Sequence, residues 1–151
     1  MKVLVRIFVL SVCLSACTAN DSKPETDSDA SGQFPVIWDI QIFDKEQQPL
    51  GNLKIRLTEE PVDDDYCGYD YFRKAIVLED NLKADLQGIE KQPAYHIGAL
   101  WLTIDLTASV CWADYILMGD INKEEAKGFF NYSHPFGGYN IGSFTASPVV
   151  E

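Results

Sequence analysis

Apolar and polar residues alternate with a period of two over most of the chain, from about residue 34 to residue 148. In residues 36–43, VIWDIQIF, every second side chain is apolar, and residues 53–58, LKIRLT, repeat the pattern. This period is that of a β-strand with one buried face. The segment DKEQQPLGN between the two stretches is rich in turn residues, so we predict that the two strands form a hairpin.

Five further segments are predicted to be strands, namely 72–80, 95–107, 115–121, 126–133 and 139–146. Residues 84–93 are predicted to be a loop or a short irregular strand. Gly119, Gly128 and Gly142 lie inside strand patterns, which favours bends or a close approach of two backbones. Because no convincing amphipathic helix interrupts these segments, we predict an all-β domain over residues 34–151. Its fold would be a single small antiparallel β-barrel or sandwich of seven to eight strands.

The N-terminal segment, residues 1–16, has a different pattern. Lys2 and Arg6 precede an apolar run, Ile7 to Leu14, and small residues follow. This is the layout of a secretory signal peptide, and it is too short to cross a bilayer as a permanent helix. The segment is therefore predicted to direct export and to be removed.

The run Leu14-Ser15-Ala16-Cys17 resembles the lipobox of bacterial lipoproteins. The resemblance implies cleavage before Cys17 and lipidation of Cys17, and several acyl chains on one cysteine make a stable anchor. In that family, Asp directly after the lipidated Cys retains the protein at the inner membrane. Thr18 therefore implies the outer membrane in a cell with two membranes. Three alternatives to this interpretation remain open. They are an uncleaved N-terminal membrane helix, cleavage without lipidation, and a metal or redox pair formed by Cys13 and Cys17.

Residues 17–33 are predicted to be the lipidated Cys followed by a disordered acidic tether. The segment 18–33, TANDSKPETDSDASGQ, contains no large apolar residue and is rich in Ser, Thr and Asp, with one Pro and one Gly. Such a composition cannot bury enough apolar surface to fold. A flexible chain of this length reaches about 20–25 Å, enough to hold a small domain clear of lipid headgroups.

The chain is strongly acidic, with a formal net charge of −11 from 12 basic and 23 acidic residues. Without Lys2 and Arg6 in the signal peptide, 10 basic residues remain against 23 acidic ones, which gives −13. A protein this acidic repels phosphate backbones, so we expect no nucleic-acid binding. A partner steered by charge would be a basic protein or a cationic ligand.

Two cysteines, Cys67 and Cys111, remain after the predicted processing. Export places them in a compartment that permits disulfides, so we expect them to pair. Their separation of 44 residues means that the disulfide would contribute roughly 4 kcal/mol to the free energy of unfolding in the loop-entropy model. A nucleophilic cysteine would need a histidine nearby and a reason to stay reduced, and the sequence indicates neither.

Aromatic residues cluster around these two cysteines, in DDDYCGYDYF at 63–72 and SVCWAD at 109–114. A disulfide would gather them beside three aspartates. Rings with apolar faces and polar tips suit a sugar, a peptide or a cationic group, although they can equally shield the disulfide. The candidate binding surface is Tyr66, Tyr69, Tyr71, Phe72 and Trp112.

Other polar clusters give weaker signals. The acidic residues Glu59 to Asp65 lack the ligand spacing and the glycine of an EF-hand loop, so we interpret them as a solvated loop. His96 and His134 are isolated in the sequence, and we expect no metal site and no cofactor. No sequence motif of a hydrolase, a nucleotide-binding enzyme or a metalloprotease occurs.

The hypothesis that joins these observations is a lipid-anchored cell-envelope protein that binds a protein, glycan or small ligand without catalysing a reaction. One alternative is a small-ligand carrier with an apolar barrel lumen. Another is a structural envelope component that makes its contact through an exposed sheet edge or face. An unrecognised hydrolase is the enzyme alternative, and it would show as a cleft with titratable groups of perturbed pKa.

Overall fold

The computed structural model describes residues 34–63, 71–83, 86, 93–108, 110 and 113–149. The predicted signal peptide, Cys17 and the tether lie outside these residues, as do Cys67, Cys111, Tyr66, Tyr69 and Trp112. Among the described residues, no helix is long and apolar enough to cross a bilayer. The described strands are β1 (Ile37–Asp44), β2 (Pro49–Pro61), β3 (Arg73–Asp80), β4 (Ala94–Ile97), β5 (Trp101–Asp105), β6 (Asp114–Ile121), β7 (Ala126–His134) and β8 (Gly137–Pro148).

The eight strands form a closed antiparallel barrel in which each strand pairs with the next, and β8 pairs with β1. This confirms the all-β prediction and decides between its two forms in favour of a barrel. In such a meander, successive connections alternate between the two ends. What we call the N-terminal end of the barrel contains the start of β1, the end of β8 and the connections β2–β3, β4–β5 and β6–β7. The other four connections form the distal end.

The barrel interior is a packed core. Buried side chains from all eight strands form one contacting cluster, and its largest members are Trp38, Tyr95, Phe130 and Phe144. Complete burial of such a side chain, relative to leaving it exposed to water, stabilises the folded state by about 3 kcal/mol. The polar tips are satisfied, because the Trp38 indole donates to the Pro35 carbonyl at 2.7 Å and the Tyr95 hydroxyl donates to the Thr58 carbonyl at 2.7 Å.

The hairpin predicted for the first two strands is confirmed, since Ile40 pairs with Leu53 and Trp38 with Ile55. The predicted single strand 95–107 is wrong. It is two strands, β4 and β5, joined by residues 98–100, and the Gly98 N–H donates to the Trp101 carbonyl across this turn at 2.8 Å. The three-residue connection reverses the chain while keeping apolar residues on the interior face of both strands.

The strand glycines lie where two backbones approach closely. Gly119 pairs with Gly128 across β6 and β7. A Cβ on Gly119 would lie 2.6 Å from the Gly128 Cα and 2.1 Å from the Lys127 carbonyl oxygen. Gly142 is as constrained, because its Cβ would lie 1.9 Å from the Phe43 carbonyl oxygen. Close approach of backbones in a small, curved sheet thus accounts for the three glycines.

Candidate functional site

Three tyrosines line up across neighbouring strands towards the distal end of the barrel. Tyr115 on β6 pairs with Tyr132 on β7, and Tyr132 pairs with Tyr139 on β8. The Tyr115 and Tyr132 ring centroids are 5.1 Å apart, and those of Tyr132 and Tyr139 are 5.5 Å apart. Their planes are tilted by 50° and 54°, an arrangement that aromatic pairs favour over a face-to-face stack. We call these three residues the tyrosine row.

The β7–β8 turn extends the row towards solvent. The His134 ring lies 5.8 Å from Tyr132 and 6.5 Å from Tyr139, and Phe136 lies 6.2 Å beyond His134. The Phe136 backbone N–H donates to His134 Nδ1 at 3.2 Å, so in the neutral imidazole the proton lies on Nε2. Phe136 is 96% exposed at the tip of the turn. A side chain of this size and apolarity, standing clear of the protein, is available to a partner.

Burial decreases along these aromatic residues from the core outwards. Phe130 is fully buried and its ring lies 5.9 Å from Tyr115. Tyr115 and Tyr132 are half-buried, and Tyr139 is exposed. The outer rings therefore rest on rings that the core holds in place. A partner binding there would meet positioned rings rather than mobile side chains, which lowers the entropy lost on binding.

Polar residues alternate with the three tyrosines along β6, β7 and β8. The Asn140 side-chain amide donates to the Gly142 carbonyl at 2.8 Å and to Asn131 Oδ1 at 3.3 Å. Asp114 pairs with Ser133 across β6 and β7, one residue from Tyr115 and Tyr132. Desolvation by partial burial raises the pKa of the Asp114 carboxyl above its usual range. Because successive residues of a strand point to opposite faces, these amide and carboxylate groups lie on the outer face of the barrel, behind the tyrosine row.

Tyr71 and Phe72 are the described members of the sequence-predicted binding surface. Tyr71 is 55% exposed, whereas Phe72 is buried. Both rings contact His96 on β4, with centroid distances of 4.9 Å and 5.9 Å. Phe72 therefore covers the outer face of β4, and Tyr71 is the one of the two that is accessible to a partner.

The chain segments that lead to the two predicted disulfide cysteines meet on the outside of β4. Phe72, which ends the β2–β3 connection, packs with Ala94 and with Ala108 in the β5–β6 connection. These two connections leave opposite ends of the barrel, and contacts across the short strand β4 bring their described parts together. The pairing of Cys67 with Cys111 lies outside the described residues.

Buried hydrogen bonds hold the β5–β6 connection in place. The Thr107 hydroxyl donates to the Ala113 carbonyl at 3.1 Å and accepts the Tyr115 backbone N–H at 3.0 Å. The buried Asp105 carboxylate accepts the Thr107 backbone N–H at 2.9 Å. Because Tyr115 takes part, this network also fixes one end of the tyrosine row. Within the described ranges, no group of three or more His, Cys, Asp or Glu side chains is placed to hold a metal ion.

The tyrosine row was missed in the sequence because its members are far apart in the chain. The sequence placed them in predicted strands and interpreted residues 134–138 only as a turn. A register of β6 with β7, fixed by the Gly119–Gly128 pair, would have aligned Tyr115 with Tyr132. Comparisons with protein families, with curated proteins and with solved structures found no match.

Proposed function

We propose that this protein is a lipid-anchored, non-enzymatic binding module of the cell envelope, held at the outer membrane by Cys17, and that the tyrosine row with Phe136 is its binding surface. The observation that carries the proposal is the placement of this surface. Phe34 and β1 begin at the N-terminal end of the barrel, whereas Tyr139 and Phe136 lie at the distal end. An anchor attached through residues 17–33 would leave the aromatic surface facing away from the lipid.

Net charge favours a cationic partner, either a basic protein or a small cationic ligand. The chain carries a net charge of −11, and Asp44, Glu46 and Asp114 lie at the distal end together with the tyrosine row. Negative charge raises the rate at which a basic partner arrives. A Lys or Arg side chain resting on an exposed tyrosine ring would add about 0.5–1 kcal/mol through the cation–π interaction.

A Cys67–Cys111 disulfide belongs to the same proposal. It is supported by the contact of Phe72 with Ala94 and Ala108, because the described segments on the way to the two cysteines already lie side by side. The bond would connect the β2–β3 connection to the β5–β6 connection over the outside of β4. Tyr71 would then be held next to the predicted aromatic surface around Cys67.

The packed interior favours a binding surface over a ligand carrier. A carrier needs an apolar lumen, and 8-stranded barrels can either be filled by side chains or hold one small ligand. Here the interior side chains, among them Trp38, Phe130 and Phe144, contact one another in one cluster. The distal surface, rather than the interior, is therefore where we place the ligand.

The binding surface is tested with an immobilised basic protein, for which a lysozyme serves as the probe, at low and moderate salt. The double variant Tyr139→Ala with Phe136→Ala removes two exposed rings and should weaken retention by about tenfold or more, as expected for a binding hot spot. The matched control is Phe129→Ala, an exposed aromatic residue on the outer face of β7. If the double variant and the wild type are retained equally, the assignment of the binding surface to the tyrosine row with Phe136 is wrong. If the wild type shows no salt-sensitive binding to the basic protein, the proposal of a cationic partner is wrong.

The anchor and the disulfide are tested by mass spectrometry of protein purified from its native membrane, with and without reduction. The proposal predicts that the chain begins at Cys17 with the added mass of acyl groups, and that Cys67 and Cys111 gain two hydrogens only after reduction. An intact Met1 would exclude the anchor. Free thiols at both cysteines before reduction would exclude the disulfide.

A further inference from the structure

An apolar groove of about 530 Å³ lies at the N-terminal end of the barrel, between the start of β1 and the end of β8. Its walls are mostly apolar, and two basic side chains stand at its edge. Val36, in the wall, is 57% exposed. The lining residues are Pro35, Val36, Ile37, Arg56, Lys123, Pro148 and Val149.

The two basic residues have no anionic partner in the part of the chain that the structure describes. Other lysines do, as Lys54 pairs with Glu79, Lys74 with Asp63 and Lys127 with Glu125. In a chain with 12 basic and 23 acidic residues, carboxylates are abundant. Arg56 and Lys123 thus line one groove without an ion pair among the described residues, so both side chains are free to contact an external anion.

Exposed apolar side chains also lie at this end of the barrel. Leu100 is 70% exposed and Trp101 is 41% exposed where β4 turns into β5. The Leu100 carbonyl accepts the Ile121 N–H at 3.1 Å, which places Leu100 beside the strand end that leads to Lys123. Apolar side chains, a tryptophan and cations together are the composition found where proteins meet the headgroup region of a bilayer.

We propose that this N-terminal end docks on the phospholipid surface to which the anchor holds the chain. Arg56 and Lys123 contact lipid phosphate oxygens, and Leu100 and Trp101 enter the headgroup region. The proposal rests on the proposed lipid anchor, because Cys17 lies only 17 residues before Phe34 at this same end. A disordered tether of that length, as the composition of residues 18–33 predicts, would raise the effective lipid concentration to the millimolar range, so a weak contact suffices.

The consequence of docking is a fixed orientation. The acidic domain as a whole is repelled by anionic lipid, so without its anchor it would not bind vesicles. With the anchor, the cations and apolar residues of one end select which face meets the bilayer. The tyrosine row then points outwards from the membrane in a defined direction rather than tumbling at the end of a tether.

The test uses the full protein, purified with its own anchor and reconstituted into vesicles of phosphatidylcholine and anionic phosphatidylglycerol that contain brominated acyl chains. Bromine quenches tryptophan at short range, so we expect a quenched component that Trp101→Phe removes. Arg56→Ala and Lys123→Ala should each lower the ratio of docked to free domain by about fivefold. Leu100→Ser should lower it as well, and high salt should weaken docking in the wild type.

Matched controls come from the distal end, where Lys45→Ala removes an exposed cation and Phe136→Ser removes an exposed aromatic ring. Both should leave quenching unchanged, and circular dichroism should show an intact fold for every variant. Failure of the protein to float with vesicles refutes the anchor and the docking that depends on it. If the protein floats with the vesicles but wild type and Trp101→Phe are quenched equally, docking is refuted while the anchor stands. If the double variant Arg56→Ala with Lys123→Ala is quenched as strongly as the wild type, the role of the two cations is refuted.

Discussion

Replacing Gly119 by alanine tests whether close backbone contact closes this side of the barrel. An added Cβ would lie 2.1 Å from the Lys127 carbonyl oxygen and 2.6 Å from the Gly128 Cα. An ordinary carbon-to-oxygen contact is about 3.3 Å or longer, so the two strands would have to move apart by about 1 Å. Both obstacles are backbone atoms of the paired strand, and no side-chain rotation can relieve them.

The expected loss of stability follows from overpacking. Extra methyl groups in a tightly packed site cost about 1–3 kcal/mol, and a site bounded by backbone belongs at the upper limit. For a domain of this size, 1 kcal/mol lowers the midpoint of thermal unfolding by about 4 °C. Gly119→Ala should therefore lower the free energy of unfolding by about 3 kcal/mol and the midpoint by about 12 °C.

The assay is thermal and urea unfolding followed by circular dichroism, with Gly98→Ala as the matched control. A Cβ on Gly98 would lie 3.8 Å from its nearest neighbour, the Trp101 carbonyl oxygen. That is an ordinary contact, so this variant should unfold within about 1 kcal/mol of the wild type. Equal losses in the two variants would refute the reasoning, because the contact distance would then not determine the effect.

Two further predictions concern polar groups near the tyrosine row. Burial raises the pKa of Asp114, so its charged form destabilises the folded state at neutral pH and this cost disappears as the pH falls below the ordinary pKa of Asp. Asp114→Asn should accordingly raise the thermal midpoint at pH 7, and a gain that persisted at pH 3 would contradict this cause. Thr107→Val leaves the partly buried Tyr115 N–H without its acceptor and should lower the free energy of unfolding by about 1–3 kcal/mol. The exposed Thr145→Val is its control, and an equal cost in both variants would contradict a role for the hydroxyl.

The strand segments were predictable because a strand with one buried face carries an apolar residue at every second position. Trp38, Ile40 and Ile42 alternate in the sequence and all three are buried. The one wrong segment, 95–107, contains the signal that was overlooked. Buried positions are odd-numbered at Tyr95 and Ile97 and even-numbered at Leu102 and Ile104. Such a change of phase within an unbroken apolar pattern indicates a chain reversal with an even number of residues between the paired positions, here four between Ile97 and Leu102.

The tyrosine row could not be predicted in the same way, because alternation shows which face a residue occupies but not which residue lies beside it. Tyr115, Tyr132 and Tyr139 become neighbours only through the registers of β6 with β7 and of β7 with β8. The second register also contains an irregularity between Phe130 and Asn131, which aligns Tyr139 with Tyr132. One residue of slip would place these rings on opposite faces.

The sequence by itself determined the local properties of this protein: which segments are extended, which face of each is apolar, and how acidic the chain is. These follow from side-chain chemistry and the fixed period of a strand. Only the tertiary structure decided that β8 pairs with β1 to close a barrel, that Arg56 and Lys123 meet at one groove, and that Tyr132 and Phe136 lie at the other end. Closure and register depend on contacts between residues distant in the chain, which no local pattern records.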